Sequence, residues 1–482
     1  MHPARDSPRW RSPAREGWGS HTIVPCSRID EGVYDRRADL PPGQVRVVRW
    51  STETNCLAGG PPGSAGMPPP WSRALALKRE ASQVERGRTL RSASARTGSA
   101  SASIGVREVD PDHVPDWDAR VLEVPGGDVH QTRLWARHWV KSGWRPRYLL
   151  FDDGLPLLSL ERPWPLIGGR SAYLPRGPIA AADSPFRTSA RLAAAYDHLV
   201  GCGVDVVASD AAIPAATGYR ELIERVGFRP IEEIEPSRHR LSVPLPAGTT
   251  EADHWRRLAM STRQRAGAAE RRGLRVVRYD TCAAPGSWDG FERPVISTSD
   301  EAALQPVMRR FYEMLGRTAS RRGFPLAPQG RIIDWTTSAI AAGMATHLEV
   351  LAPDGRVLGA ALLYRHGGRL TYAHSSDRVD LRHEFPGVVH LLVWRGIQLA
   401  IREGLAEFDL AGVDVAGHRD EPRSGAPMFG LYEFKRSFGG QWIELSGNHE
   451  RVERPFRYLL GRTIRKVSAG TERLAREPDG ER

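Results

Sequence analysis

Phe408-Asp409-Leu410-Ala411-Gly412-Val413, followed after a polar loop by Gly430-Leu431-Tyr432-Glu433-Phe434-Lys435-Arg436-Ser437-Phe438-Gly439-Gly440, is the stretch around which the chain reads as organised. A short apolar run closing on Asp409 predicts a buried strand reaching the edge of a sheet. Gly412, Gly417 and Gly425, with Pro422 and Pro427, then keep the backbone open as a loop. After the loop, Lys435 lies between Phe434 and Phe438 and is followed by a Gly-Gly stop. A lone cation among aromatics beside a strand end can hold a developing negative charge. The same residues also fit a lysine snorkelling from an amphipathic helix, and on this stretch alone both readings stand.

Working outward, 482 residues suffice for two or three domains of roughly 150 residues each. No run approaches the roughly 20 apolar residues of a membrane span, and the Arg- and Pro-rich start lacks the apolar core of a secretory signal. Cys26, Cys56, Cys202 and Cys282 are scattered, with no CxxC pair, which points to a reducing cytoplasm and away from zinc. A net charge of +11 and a pI near 9.8 suit a polyanionic partner: nucleic acid, a phosphorylated substrate or an anionic membrane. An Arg-rich composition from a GC-rich genome gives the same figure.

Residues 1–105 are rich in Pro, Ser, Gly and Arg, without lasting periodicity. The first hundred hold 16 Lys/Arg against 9 Asp/Glu, which is more than half of the net charge. Such a stretch buries too little apolar surface to offset its ordering entropy, so it reads as a disordered tail, or as sequence translated upstream of the natural start. A first unit over 106–245 then alternates elements. It has a helix from Gln131 to Lys141, a hairpin turning at Asp152-Asp153-Gly154, and a Pro-broken edge strand in Tyr173-Leu174-Pro175-Arg176-Gly177-Pro178. A helix over 187–200, a buried strand over 204–208, a helix over 219–226 and a closing strand over 238–243 follow. Pro244 and Pro246 mark a boundary. The second unit, 246–475, opens with a helix over 251–260 and a basic helix capped at Ser261-Thr262, whose N-terminus with Arg263 suits a phosphate. A strand over 274–279, two helices, three hairpin strands over 347–375, a strong amphipathic helix over 387–402, the Asp409 strand, the Lys435 segment, a last strand over 442–445 and a basic helix over 455–476 complete it. Both units share an order of elements, which suggests an internal duplication. The fold class is α/β built as α+β layers.

No Gly-x-Ser-x-Gly elbow, P-loop or His-Glu-x-x-His motif occurs, so hydrolase, NTPase and zincin readings lose their support. His366, His374, His383 and His390 match no ligand spacing and read as ordinary polar residues rather than a metal site. Asp409 at a strand end can orient an amine, act as a base, or cap the loop after it.

Taken together, these motifs resemble the FemABX peptidoglycan-bridge aminoacyltransferases. The matching residues are the Gln131-to-Trp135 helix leading to Gly143-Trp144, Tyr173 to Pro178, Arg263 with Ala269 to Gly273, and the His366-Gly367-Gly368 turn. Pro386 before Trp394 and Gly404, Phe408 to Gly412, and Phe434-Lys435 to Phe438-Gly439-Gly440 extend the match over roughly 106–465. The resemblance implies two GNAT-like domains packed together and transfer of an amino acid from aminoacyl-tRNA to an amine of a cell-wall precursor, a lipid-linked or UDP-linked muropeptide. By that similarity Lys435 stabilises the tetrahedral intermediate and Arg263 contacts phosphate. Asp409 joins Lys435 as catalytic, and Trp135, Tyr173, Arg176, Tyr432 and Phe434 join Arg263 as substrate-binding. No metal or cofactor is implied, because the ester is already activated. The implied setting is cytoplasmic, with peripheral contact at the inner membrane face and no stable protein partner. Two departures stand out. Where the family often carries a phosphate-site lysine this chain has Trp139, with Lys141 in another helical register, and no heptad-patterned arm follows residue 250.

Two other functions compete. An acyl-CoA-dependent GNAT N-acyltransferase would use the same fold but needs a Gly-rich pyrophosphate loop, and Asp377-Arg378-Val379-Asp380-Leu381-Arg382 offers none. A non-catalytic nucleic-acid-binding protein would use the basic tail and helices, without a known binding motif to support it.

Overall fold

The computed structural model describes residues 104–232, 238–281, 287–322, 325–413, 420–426 and 428–474. The expected tail disorder therefore falls, save for residues 104 and 105, outside the described residues. In chain order the first half gives β1 (Val106–Glu108), α1 (Trp117–Glu123), α2 (Arg133–Val140), β2 (Arg145–Phe151), β3 (Pro156–Pro163), β4 (Arg170–Leu174), α3 (Pro185–Gly201), β5 (Val204–Ser209), α4 (Tyr219–Arg225) and β6 (Arg229–Pro230). Next come β7 (His239–Pro244), α5 (Glu251–Arg257), α6 (Met260–Arg271), β8 (Arg275–Tyr279), α7 (Glu301–Arg322), α8 (Gln329–Ala341), β9 (Ala345–Leu351), β10 (Val357–His366) and β11 (Arg369–Asp377). The last are α9 (Val388–Arg402), β12 (Glu407–Asp409), α10 (Phe429–Arg436), β13 (Gln441–Glu444), β14 (His449–Val452) and α11 (Pro455–Leu474).

Two seven-stranded sheets result, ordered β1-β2-β3-β4-β5-β14-β6 and β8-β9-β10-β11-β12-β7-β13. They share one topology. Each has four antiparallel strands, then one parallel pair (β4 with β5, β11 with β12) joined through a crossover helix, α3 or α9. Short antiparallel strands finish each far end. A parallel pair requires such a crossover, because a tight turn can only return the chain antiparallel.

Three sequence expectations are corrected here. The strand expected to close the first unit is β7, and it lies in the second sheet between β12 and β13. In return β14, which the sequence reading lacks, enters the first sheet between β5 and β6. Apolar alternation tells which face of a strand is buried but not which strand it pairs with, so the exchange leaves no local signal. The expected edge strand β4 sits inside its sheet, between β3 and β5, because Pro175 and Pro178 fall beyond its last residue and remove no ladder donor.

The sheets are joined by a shared core. Trp135 and Trp139 of α2, both buried, pack with Trp335 of α8 and Tyr364 of β10. The Trp135 and Trp335 rings meet edge to face at 4.7 Å, a geometry worth about 0.5–1.5 kcal/mol beyond area burial. In the second half, Phe408, Leu363, Leu392 and Ile397 build a further core, which fixes the β11–β12 pair against α9. The strand ends of that pair open onto the site.

Candidate active site

Beyond β12 the chain leaves the sheet under the control of Asp409. Its Oδ1 accepts the Ala411 amide at 2.7 Å, and its Oδ2 lies 3.6 Å from the Arg240 guanidinium. Asp409 is buried and is not part of the cavity wall described below, so the structure favours its loop-capping role over that of a catalytic base. The turn it caps presents the Gly412 carbonyl to Lys435, whose ammonium donates to it. Lys435 is only 5% exposed. A buried ammonium is tolerated only where hydrogen bonds replace water, and the Gly412 carbonyl supplies one of them.

Helix α10 positions this lysine. Tyr432, one turn earlier, is buried, donates its hydroxyl to Glu421 and meets the Trp442 ring at 6.0 Å, so it anchors the helix rather than lining the cavity. Phe434 faces the other way, edge-on to His390 at 5.1 Å and to Phe438 at 5.2 Å. Ser437 ties α10 to α6: its backbone carbonyl accepts from Ala259, and its hydroxyl accepts from Thr262 at 2.7 Å. The expected Ser261-Thr262 cap is thus displaced, because α6 starts at Met260 and Thr262 reaches across to α10 instead.

Gly387 closes the arrangement. It takes φ +91°, and a Cβ there would stand 2.3 Å from the Arg265 carbonyl oxygen, so only glycine lets the start of α9 meet α6 this closely. That approach brings Arg265 and His390 to one place. Both line a cavity of about 570 Å³ together with Lys435, Phe434, Tyr372, His374, Thr318, Arg321, Arg322, Asp377 and Arg382. Leu315, Phe385, Val388 and Leu431 supply its apolar wall. A shallower hollow of about 470 Å³ shares Arg265, His390, Gly430 and Phe434 with it and extends past Ser261, Thr262, Glu433 and Arg436.

The cavity is strongly cationic. Arg265, Arg321, Arg322, Arg382 and Lys435 face one carboxylate, Asp377, and that group already binds Arg382 through both oxygens at 2.5 and 2.8 Å. Burial, and next the neighbouring Arg321, hold Arg322 below its ordinary range. Like charges gathered around a hollow repel one another, so an anion entering it relieves that repulsion as well as pairing. Burial, with Arg265 beside it, lowers the His390 imidazole to about 4, so it is neutral at pH 7.

The expected site residues divide accordingly. Lys435 and Phe434 line the cavity, and Asp409 and Tyr432 lie behind it. Arg263 does not reach it. Two residues turn a helix by about 200°, so Arg265 faces inward where Arg263 does not. Trp135 is buried in the core between the sheets. Tyr173 and Arg176 belong to a corner of the first sheet, where the Tyr173 hydroxyl donates to Asp210 at 2.9 Å and the Arg176 amide donates to it at 2.6 Å. Gln131 completes that corner, accepting from Leu158 and donating to Pro175. Sequence reasoning missed Arg265, His390, Arg321, Arg322 and Arg382. Arg265 was visible as a second arginine in the same basic helix, and only the register was wanting. Elsewhere, Glu108, His198 and Cys202 bring one donor atom each within 4.8 Å of one another, with Glu108 already bound to Arg147.

A family model described as an acetyltransferase (GNAT) domain matches residues 260–436, the span from α6 to α10 that builds the cavity. Among solved structures, FemX superposes with a TM-score of 0.59 at 16% identity, over 74% of this chain and 99% of that chain. The chain has the FemX fold. L-PGS from Bacillus licheniformis is also similar, at 10% identity and a TM-score of 0.39, over 72% of this chain and 98% of that one. So is a tandem GNAT protein from the clavulanic acid biosynthesis pathway, at 11% identity and a TM-score of 0.37, over 73% and 98%. No curated protein matches the sequence. The cavity-bearing stretch therefore matches a GNAT acetyltransferase domain model within a chain that has the FemX fold, and the α/β layering expected from the sequence is the observed one.

Proposed function

We propose that the protein is an aminoacyltransferase that moves an amino acid from aminoacyl-tRNA to an amine of a peptidoglycan precursor. The observation that carries the reading is Lys435: a buried ammonium on the wall of a cationic cavity, within a FemX-like fold. In the reaction the acceptor amine attacks the ester carbonyl carbon. A C–N bond forms, and the carbonyl oxygen becomes an oxyanion held by the Lys435 Nζ. Collapse breaks the bond to the ribose oxygen, which leaves as the alcohol with the proton lost by the amine. A fixed cation acts on such an oxyanion without reorganising, which is why it is worth far more there than in water. With its pKa near 4, His390 is too weak a base to keep the amine's proton, so its part is to shape the wall shared by the two hollows.

The arginines give the donor a place. Phosphates near the 3′ end of the tRNA meet Arg265, Arg321 and Arg322, while the muropeptide amine approaches from the shallower hollow past Phe434. The acceptor is a lipid-linked or UDP-linked muropeptide, and the reaction runs in the cytoplasm, where aminoacyl-tRNA is found. Binding mainly holds ester and amine together, since aminolysis of an activated ester needs positioning above all.

The test supplies the purified protein with a UDP-linked or lipid-linked muropeptide and either charged tRNAs or acyl-CoAs, and reads the product mass. Addition of one amino acid from charged tRNA is the expected result. Transfer from acyl-CoA alone overturns the proposal in favour of an acyl-CoA-dependent enzyme, which the GNAT domain match also accommodates. Binding of tRNA without any transfer overturns it in favour of a nucleic-acid-binding protein.

A further inference from the structure

Over its first turns, from Pro455 to Arg465, helix α11 packs one face against the first sheet and leaves the other uncovered. On the inner face Tyr458 meets the Trp164 ring edge-on at 6.1 Å, and Arg465 lies over the same ring at 4.5 Å while donating to Pro163. Gly461 lies against Trp164 so tightly that a Cβ there would stand 2.4 Å from the ring. The outer face should then be polar. Instead Phe456 is 82% exposed, Leu459 61% and Leu460 39%, spaced so that all three share one side of the helix. The loop that holds Trp164 also carries Leu166, which is 94% exposed with φ +66°.

We infer that this face of α11 docks the protein on an anionic lipid surface. Over 455–474 the sequence holds five Lys/Arg against Glu472 alone, and with Arg465 turned inward over Trp164 and Arg457 paired with Asp205 the segment still carries a net positive charge. An apolar stripe on a basic helix inserts shallowly at a bilayer interface while its charges meet anionic headgroups. No helix among the described residues is long and apolar enough to cross a membrane, so the contact is peripheral. Charge argues against the other occupants. A second copy paired about a two-fold axis would set this basic helix against itself. The chain's own first hundred residues, with 16 Lys/Arg against 9 Asp/Glu, carry the same sign. Docking here does not depend on which acceptor the enzyme uses, so its failure leaves transfer to a UDP-linked muropeptide untouched.

Flotation of the full chain with vesicles tests the inference. Wild type should float with phosphatidylglycerol-containing vesicles, stay behind with phosphatidylcholine alone, and release as salt rises. The double substitution Phe456→Ser with Leu459→Ser should cut the bound fraction at least tenfold while leaving the circular dichroism spectrum and melting temperature unchanged. Leu166→Ser, read alongside, should weaken binding less. Equal flotation of wild type and the double variant, or none by wild type, overturns the inference. A wild-type dimer in solution that the double variant converts to a monomer overturns it in favour of a second copy as the occupant.

Discussion

Replacing Lys435 by Met removes the charge while keeping an unbranched side chain of similar reach. The site is closed around it, with the lysine 5% exposed and donating to the Gly412 carbonyl. Two effects follow, and they separate in the measurements. Loss of an oxyanion partner lowers kcat by about 10²–10³, or about 2.7–4 kcal/mol. Loss of the donor to a buried carbonyl costs about 1–3 kcal/mol of stability, partly offset because a buried ammonium no longer has to be desolvated. The assay is steady-state transfer to a muropeptide over a range of aminoacyl-tRNA concentrations, run beside a thermal melt. The expected outcome is a kcat lower by two to three orders of magnitude, KM within a few-fold, and a melting temperature lower by several degrees. A kcat within threefold of wild type would falsify the oxyanion role. A raised KM and a lower melting temperature with kcat intact would reassign Lys435 to holding the loop at Gly412.

Four further outcomes are expected. Arg321→Ala with Arg322→Ala should raise KM for the anionic donor about tenfold and flatten its salt dependence, with kcat little changed, as steady-state kinetics at two ionic strengths would reveal. Gly387→Ala forces a Cβ against the Arg265 carbonyl at positive φ and should cost about 2–4 kcal/mol in urea unfolding; an unchanged midpoint would contradict the tight approach of α9 to α6. Burial holds His138, His366 and His390 near 4. Between an unfolded value of about 6.5 and the folded value, the unfolded chain binds more protons, so their contribution is whole above about pH 6.5 and is lost as pH falls toward 4, by up to about 1.4 kcal/mol per pH unit for each. Melting at pH 7, 5.5 and 4.5 should show this fall, and His366→Gln should make it shallower. Finally, 106–245 and 246–475 expressed apart should each lack a strand of their sheet, β14 or β7, and show no cooperative melting; a sharp transition in either would refute the exchange as a requirement for folding.

How far the molecule could be read from its residues depended on the range of the interaction involved. The β9–β11 hairpins, the amphipathic α9 and the Asp409 strand were legible because period and turn residues encode them locally. Lys435 was legible because Phe434, Phe438 and the Gly439-Gly440 stop frame it within a run of seven residues. Arg265 was harder, since α6 carries Arg263, Arg265 and Arg271 and has no strong apolar stripe to fix which arginine faces inward. Arg321, Arg322 and Arg382 belong to two separate segments, and nothing local in either signals the other. Trp135 misled for the opposite reason: a tryptophan in a motif that resembles a binding helix is here simply core.

The exchanged strand β7 also supports the turn that holds Lys435. It pairs with β12 so that Ser242 faces Asp409, and beyond the strand Leu241 exchanges backbone hydrogen bonds with Leu410 and Ala411. The Val413 amide then donates to Nε2 of His239 at 3.1 Å. Residues 409–413 are therefore held along their length by a segment that the sequence reading had assigned to the other unit. Through the Gly412 carbonyl the same stretch holds Lys435. The linker between the halves is thus a supporting wall of the site, and the Arg240 guanidinium, in contact with both Glu407 and Asp409, carries that support in its side chain. A split at residue 245 into two separate units would cut through this support, since β7 and β12 would part. The exchange explains why: the strand that crosses between the sheets also positions the lysine.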